Sequence, residues 1–179
     1  MAEGGPSRKR AVVSGLRLEA DVVRHGDAWR GARVTDVVLK QAARAALLAA
    51  PLLRHGPYQV TIVLTDDREM RDLNRTWRGK DAATNVLSFP ANAGIREPGL
   101  LGDVVLAYET TLKEACEQNI ALQDHVSHLV VHGVLHLLGF DHAEEEEAER
   151  MENLERTALA SLGIADPYAE DAEPAEVSS

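Results

Sequence analysis

Apolar positions along the chain repeat with two periods, and together they predict five helices and four strands. Alternation over 16–23 predicts a first strand, and the β-branched run over 58–64 a second, buried one. Residues 84–89, stopped by Pro90, and 103–107 predict two more, with a Gly/Pro-containing loop over 91–99 between them. Between the first two strands an Ala-rich helix runs from a Thr35 or Asp36 cap to Leu48, and Pro51 closes it. Asp66, with Glu69 three residues on, predicts a capping-box-like start to a helix reaching Trp77.

Further on, Thr110 or Thr111 is placed to cap a helix to about Asn119. Asp124 is placed to cap the next, with Val126, Leu129, Val130, Val134 and Leu137 as its apolar stripe and Gly139 as its stop. A last helix spans 144–162, with glutamates in its first turn where the helix dipole favours them. Helices and a small sheet without regular βα alternation indicate an α+β fold. The expected organisation is an arm over 1–10, one domain over 11–164 and an acidic disordered tail over 165–179.

Charge changes this picture only when it is divided along the chain. The net charge is −10, but residues 1–143 carry 17 basic and 17 acidic side chains, whereas 144–179 carry 2 and 12. The neutral body concentrates Arg68, Arg71, Arg75, Arg78 and Lys80 in one stretch, so an anionic substrate is compatible with it. Cys116 is the only cysteine, which excludes an intrachain disulfide and makes a reducing cytosol the expected compartment. No apolar run approaches the roughly 20 residues that span a bilayer. Residues 1–10 lack the apolar stretch of a secretory signal, so neither a membrane nor an export route is expected.

Candidate chemistry lies in the histidines. His132 and His136, four apart on a helix, project from one face about 6 Å apart along the axis. The break at Gly139 lets the chain return His142 to that face. Three imidazoles with a fourth tetrahedral position left to water are the donor set of a catalytic zinc site, one ion per chain, with hydrolysis as the expected chemistry. His128 shares the His132 face but lies eight residues from His136, about 12 Å of rise, too far for both to hold one ion. It is expected to be a packed helix residue, the alternative being a group that supports the ligands or faces substrate. His25, His55 and His125 read as solvated. Gly133 stands where an H-E-x-x-H metallopeptidase has its general base, which weighs against that activity.

The remaining candidates have plainer readings. Asp103 is expected to hydrogen-bond a turn, and Cys116 to be a small buried side chain. Asp141 is placed either to orient a ligand histidine or to satisfy the turn backbone. Asn85 and Ser88 could meet substrate if their strand is an edge. The Glu144–Glu147 run reads as a solvated helix start.

The stretch from His132 to His142, His-Gly-Val-Leu-His-Leu-Leu-Gly-Phe-Asp-His, resembles the signature of the YbeY family of bacterial metal-dependent endoribonucleases at every position. Leu73-Asn74, Trp77-Arg78-Gly79-Lys80-Asp81 and Thr84 to Pro90 also resemble it, with Trp77 where the family usually has tyrosine. Leu101-Gly102-Asp103 is a third, weaker match, and the whole spans about residues 60–160. The resemblance implies a zincin-like α+β fold, zinc on His132, His136 and His142, and an important arginine at Arg78. It further implies single-strand-specific RNA cleavage in ribosomal RNA maturation, near the small-subunit RNA's 3′ end, and in ribosome quality control. The implied partners are ribosomal RNA, the small subunit and its proteins. Independently of family, a guanidinium suits phosphate through its permanent charge and five donors. Two other readings remain: a zinc-stabilised ribosome assembly factor without catalysis, and a metallopeptidase.

Overall fold

The computed structural model describes residues 16–50, 56–91 and 99–169. In chain order these form β1 (Leu16–Arg24), α1 (Asp36–Ala49), β2 (Gly56–Thr65), α2 (Asp67–Arg78), β3 (Val86–Pro90), β4 (Leu100–Ala107), α3 (Tyr108–Glu117), α4 (Leu122–Leu137) and α5 (Glu145–Ser161). Pro51, His55, the arm over 1–10, most of the 91–99 loop and residues 170–179 of the acidic tail lie outside the described residues.

The four strands make one sheet in the order β1-β2-β4-β3, with β1, β2 and β4 parallel and β3 antiparallel to β4. β1-α1-β2 is a βαβ unit, so the first third does alternate. The later run of three helices keeps the architecture α+β, as the sequence predicts. Both sheet faces are covered, which is why β2 and β4 read as apolar runs. On one face Ile62, Leu64, Val104 and Leu106 meet α1, α4 and α5, and this layer holds most of the core. On the other, Leu87, Val105 and Ala107 meet Met70 and Leu73 of α2.

Local chemistry sets several boundaries. Thr35 caps α1 by accepting from the Val38 N–H at 3.4 Å, and Asp66 caps α2 by accepting from the Glu69 N–H at 2.8 Å. The capping box is only half formed, because the Glu69 carboxylate turns away to Thr65 and to His25 Nδ1. α3 and α4 start two residues before the predicted caps, without a capping side chain. Thr110 instead donates to Asp67 at 2.7 Å, tying α3 to the first turn of α2. Cys116 is exposed, contrary to expectation, because α3 buries Thr111 and Ala115 and turns position 116 outward. Asp103 is exposed within the β4 ladder opposite Phe89, not in a turn.

α4 approaches the sheet closely at Gly133. A Cβ there would sit 2.6 Å from Val104 Cγ1 and 3.1 Å from Ser88 Oγ. The Ser88 hydroxyl donates to the Gly133 carbonyl at 3.0 Å, so α4 is clamped to the sheet at β3 and β4. Val104 is fully buried and stiff at χ1, so it cannot swing aside. Gly133→Ala is expected to destabilise the fold by about 1–3 kcal/mol through overpacking. Adding Val104→Ala should recover part of that loss beyond the additive value, as read by urea denaturation of the two single variants and the double.

Candidate metal centre

α4 presents His132 and His136 one turn apart, and its C-terminus folds His142 back towards them. The Gly139 N–H donates to the His136 carbonyl at 3.0 Å and the Phe140 N–H to the Leu135 carbonyl at 3.1 Å, the two bonds of a Schellman ending. Gly139 has φ +93°, a conformation that a side chain resists, and this reversal returns the chain. Asp141 accepts from the His142 backbone N–H at 2.8 Å, so it satisfies the turn and makes no hydrogen bond to a ligand ring.

The three rings converge. Their centroids lie 4.6 Å (132 to 136), 5.6 Å (132 to 142) and 5.0 Å (136 to 142) apart. One nitrogen from each falls within 4.8 Å of the others, a grouping unique among the described residues. Nε2 of His132 and Nε2 of His136 are 3.1 Å apart. Tetrahedral coordination at about 2.0–2.1 Å puts two nitrogens roughly 3.3 Å apart, so this pair is already near chelating distance. Burial holds His136 below the usual imidazole range, and repulsion from His132 and His142 adds to it against the opposing pull of Asp141. A proton is therefore a poor occupant and neutral nitrogen donors are favoured, as a divalent cation requires. The donor set fits a metal ion.

Behind the cluster lies a group that the sequence reading missed. Glu155 of α5 is 1% exposed. One carboxylate oxygen meets His132 Nδ1 at 2.5 Å and the other meets His128 Nε2 at 3.2 Å, with the Tyr168 hydroxyl also donating to it. Burial pushes this carboxyl up, but the hydrogen bonds from His128, His132 and Tyr168 outweigh it and hold the group at about 2. The charged carboxylate fixes the proton of His132 on Nδ1 and leaves Nε2 as a lone-pair donor towards His136 and His142. Tyr168 is pushed upward by its own burial and by Glu155, so it stays a hydroxyl donor.

Several expectations change here. His128 is a supporting residue sharing the carboxylate of His132, where a packed helix residue was expected. His125 is buried, not solvated: Nε2 pairs with Glu114 at 2.8 Å because α3 lies across its face of α4. Residues 166–169, assigned to the acidic tail, close in a turn that seats Tyr168 on Glu155. A signal for Glu155 was available: Met151, Glu155, Ala158 and Leu159 form the inward stripe of α5, and a glutamate at such a position has to be paired.

β3 is an edge strand among the described residues, but neither of its polar candidates is free. Asn85 donates to Glu114 at 2.9 Å and accepts from the Val86 N–H at 2.7 Å, and Ser88 is held by Gly133. Arg78 ends α2, on the sheet face opposite α4. It is exposed and makes no hydrogen bond or ion pair to the three histidines.

Metal affinity should report the carboxylate directly. Glu155→Gln keeps the shape but removes the charge, and a roughly tenfold to hundredfold loss of affinity is expected in competition with a chromogenic chelator. Tyr168→Phe should show a smaller loss in the same direction. Equal affinity in all three proteins would remove Glu155 from the site's support.

The Endoribonuclease YbeY family model matches residues 31–163. The chain is 48% identical over 164 residues to an Endoribonuclease YbeY of Novosphingobium aromaticivorans, covering 86% of this chain and 95% of that one. It is 46% identical over 186 residues to one of Parvibaculum lavamentivorans, covering 95% and 97%. A solution structure from Thermotoga maritima superposes with a TM-score of 0.52 at 22% identity, covering 88% of this chain and 99% of that one, and shows the same fold.

Proposed function

The chain belongs to the YbeY family of endoribonucleases, and from that premise we propose that it is a zinc-dependent endoribonuclease of single-stranded RNA that matures the small ribosomal subunit's RNA near its 3′ end. The observation that carries this reading is the convergence of three imidazole nitrogens within 4.8 Å, one of them oriented from behind by a buried carboxylate. Three imidazoles with room for a further ligand suit zinc better than calcium or magnesium, which prefer oxygen donors. A zinc ion held there supplies Lewis acidity at a phosphodiester and activates water near neutral pH.

The chain's own residues set the rest. His132, His136 and His142 hold the ion, and Glu155 keeps the first of them in the metal-binding tautomer. Arg78 is assigned to bind the scissile phosphate or a neighbouring one. Support for that assignment is the family resemblance together with its freedom: Arg71 is held by Asp81 at 2.8 Å and Arg75 by Asp72 at 2.7 Å, whereas Arg78, like Arg68, has no side-chain partner among the described residues. An unpaired guanidinium keeps its donors for an incoming anion.

Gly133 bears on the peptidase alternative. Its Cβ direction is filled by Val104, so α4 has no room for the glutamate that a peptidase of the H-E-x-x-H type carries there. Among the described residues no helix is long and apolar enough to cross a membrane. The reading takes ribosomal RNA and the small subunit with its proteins as partners, and the cytoplasm as the place of action.

Metal content and RNA cleavage measured together test this function on the parent, His136→Ala and Arg78→Ala. About one zinc per parent chain is expected, lost in the histidine variant and kept in the arginine variant, with cleavage of single-stranded ribosomal RNA lost in His136→Ala and reduced at least roughly a hundredfold in Arg78→Ala. A folded, zinc-loaded parent that leaves ribosomal RNA intact would instead indicate an assembly factor. Full cleavage by His136→Ala would overturn the metal site.

A further inference from the structure

α2 turns Met70, Leu73, Asn74 and Trp77 towards the sheet at helical spacing, yet only the first three are covered. Met70 and Asn74 are buried and Leu73 is half-buried, whereas Trp77 is 69% exposed. Trp77 stands in the last turn of the helix, where the indole meets edge strand β3. Its ring contact is Phe89, centroid to centroid 6.1 Å at 69°, which braces the indole edge to face and leaves most of it in solvent.

Two cations follow the indole in the chain, and one exposed carboxylate, Asp103, pairs across the ladder with Phe89. Arg78 and Lys80 follow it in the chain, both exposed and without an ion pair or side-chain hydrogen bond among the described residues. Two arginines earlier in the helix, Arg71 and Arg75, are neutralised by Asp81 and Asp72. An exposed aromatic face with free cations close by in the chain has the chemistry that holds a base and its phosphates. β3 connects this face to the metal helix. Phe89 points to Trp77 on one side of the strand, and its neighbour Ser88 points to the other side and bonds Gly133, next to His132.

We infer that Trp77 is a stacking platform for one unpaired base of the RNA substrate, with Lys80 and Arg78 on the adjoining phosphates. A strand crossing the β3 edge would lay a base on the indole while its backbone continues towards the histidines. Stacking requires an unstacked, unpaired base, so this contact selects single strands over duplex. The inference rests on the endoribonuclease reading and deepens it by naming the group that recognises single-strandedness.

Tryptophan fluorescence separates this contact from others, because the second tryptophan, Trp29, is buried with its Nε1–H on the Thr65 carbonyl at 2.8 Å. The metal-loaded full chain, Trp77→Phe and Trp77→Ala would be titrated with a short single-stranded oligoadenosine and an abasic strand of equal length, with cleavage followed in parallel. In the parent, oligoadenosine should quench the fluorescence. Trp77→Phe should bind with nearly parental affinity without that quenching. Trp77→Ala should bind roughly fivefold or more weakly, with an unchanged salt slope and no loss on the abasic strand. Lys80→Ala should lower the salt slope by about one on both strands. If the parent binds and cleaves RNA while Trp77→Ala binds oligoadenosine as well as the parent, the platform is overturned and the nuclease reading stands. Equal losses on the two strands overturn it as well. So does self-association that is lost in Trp77→Ala while RNA affinity holds, which would assign the face to a second copy of the chain. A parent that neither binds nor cleaves single-stranded RNA ends the nuclease reading and the platform together.

Discussion

A carboxylate 1% exposed cannot remain charged without several donors, and Glu155 has three, from His128, His132 and Tyr168. Each donor comes with a piece of the fold. His128 and His132 bring two successive turns of α4, Tyr168 brings the turn after α5, and Glu155 itself sits in the apolar stripe of α5. None of these elements can slide along another without leaving the charge unpaired. The alignment of α4 against α5 is thus set by one ionised group. The direction in which His132 presents Nε2 follows from that alignment.

The opposite side of α4 is fixed by contact instead of charge. At Gly133 the helix backbone approaches Val104 closely enough to exclude a side chain, and the Ser88 hydroxyl closes the gap with a hydrogen bond. α4 is thus held between a carboxylate on α5 and the strand β3. Rigid support of this kind is what a coordination site needs, because small displacements of a ligand ring weaken binding. The arrangement also sets β3, an edge strand among the described residues, against α4 beside His132.

Much of this was legible in the chain, and the failures share a cause. Periodicity, β-branched runs and turn residues located the nine elements of the described residues, because most bury one face and β2 and β4 bury both, and the histidine spacing with the Gly139 break led to the three converging rings. What periodicity could not supply was the partner across the gap. Asp124, Thr110 and Glu69 have capping chemistry, but tertiary contacts claim Thr110 and Glu69, and α4 starts before Asp124. His125 and His128 looked solvated or merely packed until α3 and α5 supplied Glu114 and Glu155. Tyr168 stands in a stretch whose acidity suggests disorder, and a single hydrogen-bonded ring outweighs that composition.

The order of these residues along the chain makes the candidate metal centre depend on a residue well behind it. The three candidate ligands precede Glu155, and Glu155 precedes Tyr168. A chain clipped between α5 and Tyr168 would keep all three imidazoles and the carboxylate, yet lose the hydroxyl that steadies that carboxylate. Trimming at that point would therefore leave every ligand in place while loosening the group that orients His132.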